Sequence, residues 1–159
     1  MTEKHLPIFG VGPYLISSIE FITLFALALS YLKIIPAYTP NQIEPIFVIL
    51  GSILIIIGVV FWLLAVTKSR IDKSIRSNDL ITTGIYGYVR HPIYAAFLYI
   101  TTGIIVIYGN ILLFILPPIF WLFLTISMKK TEESWLIDLY GEQYINYTKE
   151  VNGFIPKVI

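Results

Sequence analysis

The 159-residue chain has no cysteine, two histidines and few charges: 11 Lys and Arg against 10 Asp and Glu, 13% of residues together. Without cysteine there is no disulfide, no thiolate metal ligand and no cysteine nucleophile. His5 and His91 stand far apart in sequence, so no metal site is expected. A net charge of +1 excludes the concentrated basic surface that a nucleic-acid partner requires. A P-loop and an HExxH motif are also absent. "GVG" at 10–12 lacks the preceding strand and the remaining glycine of a Rossmann fingerprint. These absences exclude a soluble-type nucleotide fold, and no internal repeat or low-complexity tract is evident.

Apolar surface is what the chain has in abundance. Hydrophobic residues make up 57% and the mean hydropathy is +0.80, whereas a soluble domain carries about 25% charged residues. A core of this size cannot hide so much apolar area, so lipid must act as solvent. Length suggests a single integral membrane domain over 1–159. Four apolar segments stand out, at 14–35, 45–66, 93–108 and 111–128. The first two approach the roughly 20 residues that span a bilayer core. Only Gly109 and Asn110 separate the last two, which predicts a tight antiparallel helical hairpin. Pro117 and Pro118 should kink the fourth segment. The fold class expected is all-α and polytopic, with about four transmembrane helices.

Charge then sets orientation. Lys68, Arg70, Lys73, Arg76 and Arg90 follow the second segment, and Lys129 and Lys130 follow the fourth. The positive-inside rule places these residues, and with four crossings both termini, on the cytoplasmic side. Lys33 is then the only basic residue outside. "ALA" at 26–28 mimics a signal-peptide cleavage site, but the preceding region is nearly uncharged and the apolar run continues through "YLKII". The first segment is therefore expected to be retained as a span. The tail from Thr131, read as a helix N-cap, repeats Trp135, Leu136, Leu139, Tyr140, Tyr144 and Tyr147 at helical spacing. It reads as a cytoplasmic amphipathic helix broken near Gly141.

Three places could carry chemistry. Arg90-His91-Pro92 sets a proline at a helix start and His91 at the N-terminus, where free N–H groups attract an anion; Arg90 adds a fork suited to a carboxylate. Lipid phosphate anchoring by Arg90 and simple capping by His91 is the plainer reading. Glu132-Glu133 could accept hydrogen bonds from an ammonium or a ribose, or form a solvated charged surface. Glu20 is the only acid well inside a span and shares a loose face with Ser17 and Thr23. It is either functional or simply hydrogen-bonded within the bundle.

The order of parts resembles the isoprenylcysteine carboxyl methyltransferase family, within the wider group of membrane phospholipid methyltransferases. The residues that carry this are "LITTGIYGYVRHPIY", the hairpin Asn110, and "TEESWLIDLYGEQYINYTKEVNGFIP", covering 78–156. Residues 1–67 match only as generic membrane helices. The resemblance implies S-adenosylmethionine held at the cytoplasmic end by Asn78, Asp79, Leu80, Ile81, Tyr86, His91, Pro92, Ile93, Tyr94 and Glu132. Beside these, the chemistry of methyl transfer makes Arg90 and Glu133 the candidate catalytic residues. Family members carry an arginine four residues before the matching glutamate; here that position is Met128, and Lys129 and Lys130 are the candidates for handling substrate. A carboxylate acceptor needs no base, and Arg90 would orient it. An amine or thiol needs one, for which His91 or Glu133 is available. The expected partner is a lipid or lipid-modified acceptor entering from the bilayer. A membrane reductase using a nicotinamide cofactor and a non-catalytic membrane scaffold are the competing readings.

Overall fold

The structure, a computed structural model, describes residues 10–38, 44–68 and 80–156. Asn78, Asp79, Arg70, Lys73 and Arg76 therefore lie outside the described residues, and so does the Lys68 side chain. The architecture is all-helical. Helix α1 spans Gly12–Tyr31, α2 Glu44–Lys68, α3 Pro92–Tyr108, α4 Leu116–Lys130, α5 Glu132–Tyr140 and α6 Glu142–Glu150. Two 3-10 helices, Gly84–Gly87 and Ile111–Ile115, precede α3 and α4. Three stretches are long and apolar enough to cross a membrane: Gly12–Tyr31, Glu44–Thr67 and Ile111–Tyr140. Helix α3 is also apolar, but its 17 residues reach only about 25 Å, short of a hydrocarbon core of about 30 Å.

Helix α3 is the organising element. It lies along α2 over most of its length and also packs on α1 and α4. The contact with α2 is closest at two levels, where glycine or alanine stands on both helices. A Cβ on Gly51 would meet the Gly103 carbonyl oxygen at 2.6 Å, and one on Gly58 would meet the Ala96 carbonyl oxygen at 2.6 Å. Conversely, a Cβ on Gly103 would meet the Gly51 carbonyl oxygen at 2.5 Å. Small residues seven apart on both helices thus let the two backbones touch, as membrane helices do where apolar burial gives no drive to associate. The pairing also fixes direction, because Gly51 faces Gly103 while the later Gly58 faces the earlier Ala96. Helices α2 and α3 are antiparallel.

Asn110 closes the opposite end from the site described below. Gly109 takes a left-handed conformation (φ 78°) to end α3, and the fully buried Asn110 then caps the 3-10 helix. Its Nδ2 donates to Ser30 Oγ (2.8 Å) and the Pro36 carbonyl (3.1 Å). Its Oδ1 accepts from the N–H groups of Tyr38 (3.3 Å) and Leu112 (3.2 Å). One side chain therefore pins the end of α1 to the end of α3. Since Gly12 lies beside Tyr94, α1 and α3 run in the same direction.

The fourth apolar segment differs from expectation. Its first residues form the 3-10 helix, and Pro117 and Pro118 fall in the first turn of α4. There a missing N–H breaks no intrahelical bond, so the prolines mark a change of helix type rather than an interior kink. The expected polar face of α1 is also divided: Ser17 is exposed, Glu20 half-buried and only Thr23 buried. Thr23 satisfies its hydroxyl on the Ile19 carbonyl. Thr131 does not cap α5 with its side chain; its hydroxyl donates back to the Ser127 carbonyl at 2.7 Å. Gly141 (φ 55°) separates α5 from α6.

Candidate functional site

The chain returns to one end of the helices three times: before α1, before α3 and after α4. Pro92 starts α3 at its first turn and leaves His91 as the N-cap residue, as its position predicts. The His91 side chain does not cap. It turns to Glu133, with Nε2 2.9 Å from Glu133 Oε1. Arg90 reaches the same carboxylate oxygen through Nη2 (2.7 Å) and Nε (3.3 Å). Its Nη1 donates to the carbonyls of Thr148 (3.2 Å) and Val151.

The segment after α6 completes this junction through its backbone. The Arg90 N–H donates to the Asn152 carbonyl (2.8 Å) and the His91 N–H to the Gly153 carbonyl (3.0 Å). Phe154 then packs its ring 5.6 Å from the imidazole. Arg90 is thus a strut between α5 and the C-terminal segment. Its planar fork suits this task, because it can meet a carboxylate and two carbonyls at once.

Glu132, one residue earlier on α5, faces elsewhere. Its Oε1 accepts from the Val11 N–H (3.3 Å) and from the Tyr94 hydroxyl. Its Oε2 has no hydrogen-bond partner among the described residues, and the side chain is half-buried. Burial pushes the Tyr86 phenol up to about 12, and the charge of nearby Glu132 acts in the same direction. The Tyr86 carbonyl accepts from the Tyr147 hydroxyl, which ties the 3-10 helix Gly84–Gly87 to α6.

Val11, Tyr86, Arg90, His91, Tyr94, Glu132 and Glu133 therefore meet at one end, the only part of the described residues where carboxylates, imidazole and guanidinium converge. The sequence that builds this junction matches a known family. A model of the family described as phospholipid methyltransferase covers residues 46–143, from the start of α2 to the start of α6. The chain belongs to the phospholipid methyltransferase family. Its relatives include the isoprenylcysteine carboxyl methyltransferases to which the motif order pointed. The protein-S-isoprenylcysteine O-methyltransferase of Schizosaccharomyces pombe is 39% identical over 95 residues, 57% of this chain and 39% of that protein. The protein of the same name in Saccharomyces cerevisiae is 31% identical over 116 residues, 68% of this chain and 48% of its own length. Methanethiol S-methyltransferase 1 of Bradyrhizobium diazoefficiens is 33% identical over 96 residues, 60% of this chain and 33% of that protein. The chain thus spans less than half the length of these curated relatives.

Within this family frame the site residues read from sequence divide into groups. His91, Tyr94, Glu132 and Tyr86 come together at the junction. Pro92 and Ile93 supply the start of α3, whose first-turn N–H groups have no intrahelical acceptor. Leu80 packs against the cluster of Tyr144, Tyr147 and Val151, and Ile81 is half-buried. Arg90 and Glu133 are bound to each other, so a free Arg90 fork for substrate is not what the geometry offers. Lys129 and Lys130 are exposed at the end of α4, whereas Met128 is 1% exposed and belongs to the apolar core with Tyr94, Leu124 and Phe154. Sequence reading did not assign a part to Val11 or to the carbonyls of Thr148, Val151, Asn152 and Gly153. Backbone donors and acceptors carry no residue signature, so spacing alone could not single them out.

Proposed function

We propose that the protein is a membrane-embedded, S-adenosylmethionine-dependent methyltransferase acting on an apolar or lipid-like acceptor. The observation that carries this reading is Glu132, held through one oxygen by Val11 and Tyr94 while the other lacks a partner among the described residues. Such a carboxylate fits the ammonium of an amino-acid moiety, and the N–H groups of Ile93 and Tyr94, which have no intrahelical acceptor in the first turn of α3, fit its carboxylate. Family membership gives the reaction class, and the matched region contains each of these residues except Val11. When bound, the cofactor supplies a methyl group on a sulfonium, already activated for in-line displacement. The protein's part is to align and to exclude water. Asn78 and Asp79 are proposed to extend the cofactor site beside Leu80 and Ile81.

Arg90 and Glu133 act in this reading by fixing His91, not by touching the acceptor. With Nε2 engaged by Glu133, Nδ1 of His91 is the atom left to accept a proton from a thiol or amine. A carboxylate acceptor would need no such transfer. The relatives' names give two sulfur-containing acceptors, an S-isoprenylcysteine and methanethiol. Met128 packs in the apolar core where family members carry arginine, so no cation stands at that position to pair with an anionic acceptor. Lys129 and Lys130 are placed to meet an anionic headgroup at the membrane surface.

Four crossings, with α3 the short third one and a hairpin into α4, place the site and both termini in the cytoplasm on this reading. In this cysteine-free chain, Leu32→Cys and Lys130→Cys should label from opposite sides of the membrane. Labelling from one side would contradict four crossings. The activity itself is tested by transfer of labelled methyl into prenyl-cysteine analogues, aminophospholipids and small thiols in liposomes. Transfer only to a membrane-impermeant acceptor would overturn the lipid-side reading.

A further inference from the structure

The turn before α1 lies outside the region that the family model matches, yet it is fitted to Glu132. Gly10 has φ +50°, a left-handed conformation that favours glycine. A Cβ built on it would collide with Glu132 Oε1. At Gly12 a Cβ would come within 2.9 Å of the Tyr94 hydroxyl oxygen. Between them the Val11 N–H donates to Glu132, and Tyr94 donates to the same oxygen. Two glycines thus allow one amide and one phenol to approach the carboxylate from one side.

From this geometry we infer that Gly10-Val11-Gly12 is a positioning latch, which holds Glu132 so that its second oxygen receives a cationic amine of the bound ligand. The inference rests on the methyl-donor reading and deepens it, since the donor carries one ammonium. Two donors on Oε1 fix the plane of the carboxylate and leave Oε2 as the acceptor without a partner among the described residues. Half-burial makes the remaining acceptor more valuable, because a charge-assisted hydrogen bond strengthens as water is excluded. The simplest competing account is that Glu132 merely caps the N-terminus of α1. A cap would stabilise the helix but would have no preference among ligands.

That difference provides the test. S-adenosylhomocysteine carries the ammonium, and methylthioadenosine has the same nucleoside without the amino acid. Both are titrated by calorimetry into detergent-solubilised protein, with melting temperature as the folding control. Gly10→Ala should weaken S-adenosylhomocysteine about tenfold, the scale of one charged hydrogen bond, and leave methylthioadenosine unchanged. Gly12→Ala, which presses on the end of the Tyr94 side chain rather than straining the backbone, should give a smaller loss with the same selectivity. In a Glu132→Gln background neither glycine change should add to the loss. Equal weakening of both ligands, or no weakening in either folded variant, overturns the latch. If wild-type protein binds neither ligand, the methyl-donor reading fails and the latch with it.

Discussion

Arg90 Nη2 lies 2.7 Å from Glu133 Oε1, with 11% and 10% of the two side chains exposed. A pair this deep is sensitive to losing one member, since without Arg90 the buried Glu133 carboxylate keeps only His91 as a partner. Arg90→Ala should destabilise the protein by about 3–5 kcal/mol. Arg90→Lys should recover little of this, because a single ammonium cannot serve Glu133 and the carbonyls of Thr148 and Val151 together. Denaturant unfolding of the solubilised protein measures both, and a lysine variant as stable as wild type would contradict the strut.

The glycine seam makes a second prediction. Gly103→Ala places a methyl group where the Gly51 carbonyl already is, and neither backbone can yield without separating α2 from α3. Overpacking of this kind costs about 1–3 kcal/mol. Thermal unfolding should register a clear loss for Gly103→Ala and for Gly58→Ala. Gly87→Ala, whose added Cβ would be 3.3 Å from the Thr82 carbonyl, should be tolerated far better. Equal effects at the three positions would argue against backbone contact between α2 and α3.

At the far end, Asn110→Ala removes the common partner of Ser30, Pro36, Tyr38 and Leu112. Ser30 is buried, and a buried group left unpaired costs about 1–3 kcal/mol. The variant should unfold at lower denaturant while any folded fraction keeps wild-type affinity for S-adenosylhomocysteine, because Asn110 lies at the end of α3 opposite Glu132. A selective loss of affinity with unchanged stability would place Asn110 functionally in the site.

The tyrosines around the junction set an alkaline limit. Burial raises the Tyr86 phenol to about 12 and also pushes Tyr144 and Tyr147 above the ordinary range. These groups hold their protons in the folded state, so their contribution is complete below about pH 10, the unfolded value. It is lost as pH rises past that value toward the folded one. Phenolate absorbance should show these tyrosines titrating later than free tyrosine. Tyr147→Phe, which also leaves the Tyr86 carbonyl without its donor, should lower stability near neutrality by about 1–3 kcal/mol. Titration of all the tyrosines near pH 10 in folded protein would contradict their burial.

Much of this arrangement was legible in the chain. Pro92 announced the start of α3, and "RHPIY" with "TEE" named the side chains that meet. Long apolar runs announced α1 and α2 because lipid selects on composition over some 20 residues. The fourth segment was harder, since a 3-10 turn and an α-helix share one apolar pattern and differ only in hydrogen bonding. Thr131 misled because a hydroxyl before two acids has two outlets, the next helix or the carbonyl four residues back. Which outlet it takes depends on how α4 ends. The pairing of Arg90 with Glu133, rather than with a ligand, depends on a C-terminal segment whose contribution is backbone carbonyl. The glycine seam was visible only as Gly51, Gly58 and Gly103, whose meaning required knowing that α2 and α3 are neighbours.

The central claim is that Glu132 binds the ammonium of a methyl donor at the junction of α1, α3 and α5. It is tested most directly by calorimetric titration of S-adenosylhomocysteine into solubilised wild-type protein and Glu132→Gln. The account predicts saturable one-site binding to wild type and an affinity loss of about tenfold or more in the variant, with the melting temperature of the ligand-free protein little changed. Equal affinity for the two folded proteins would contradict it.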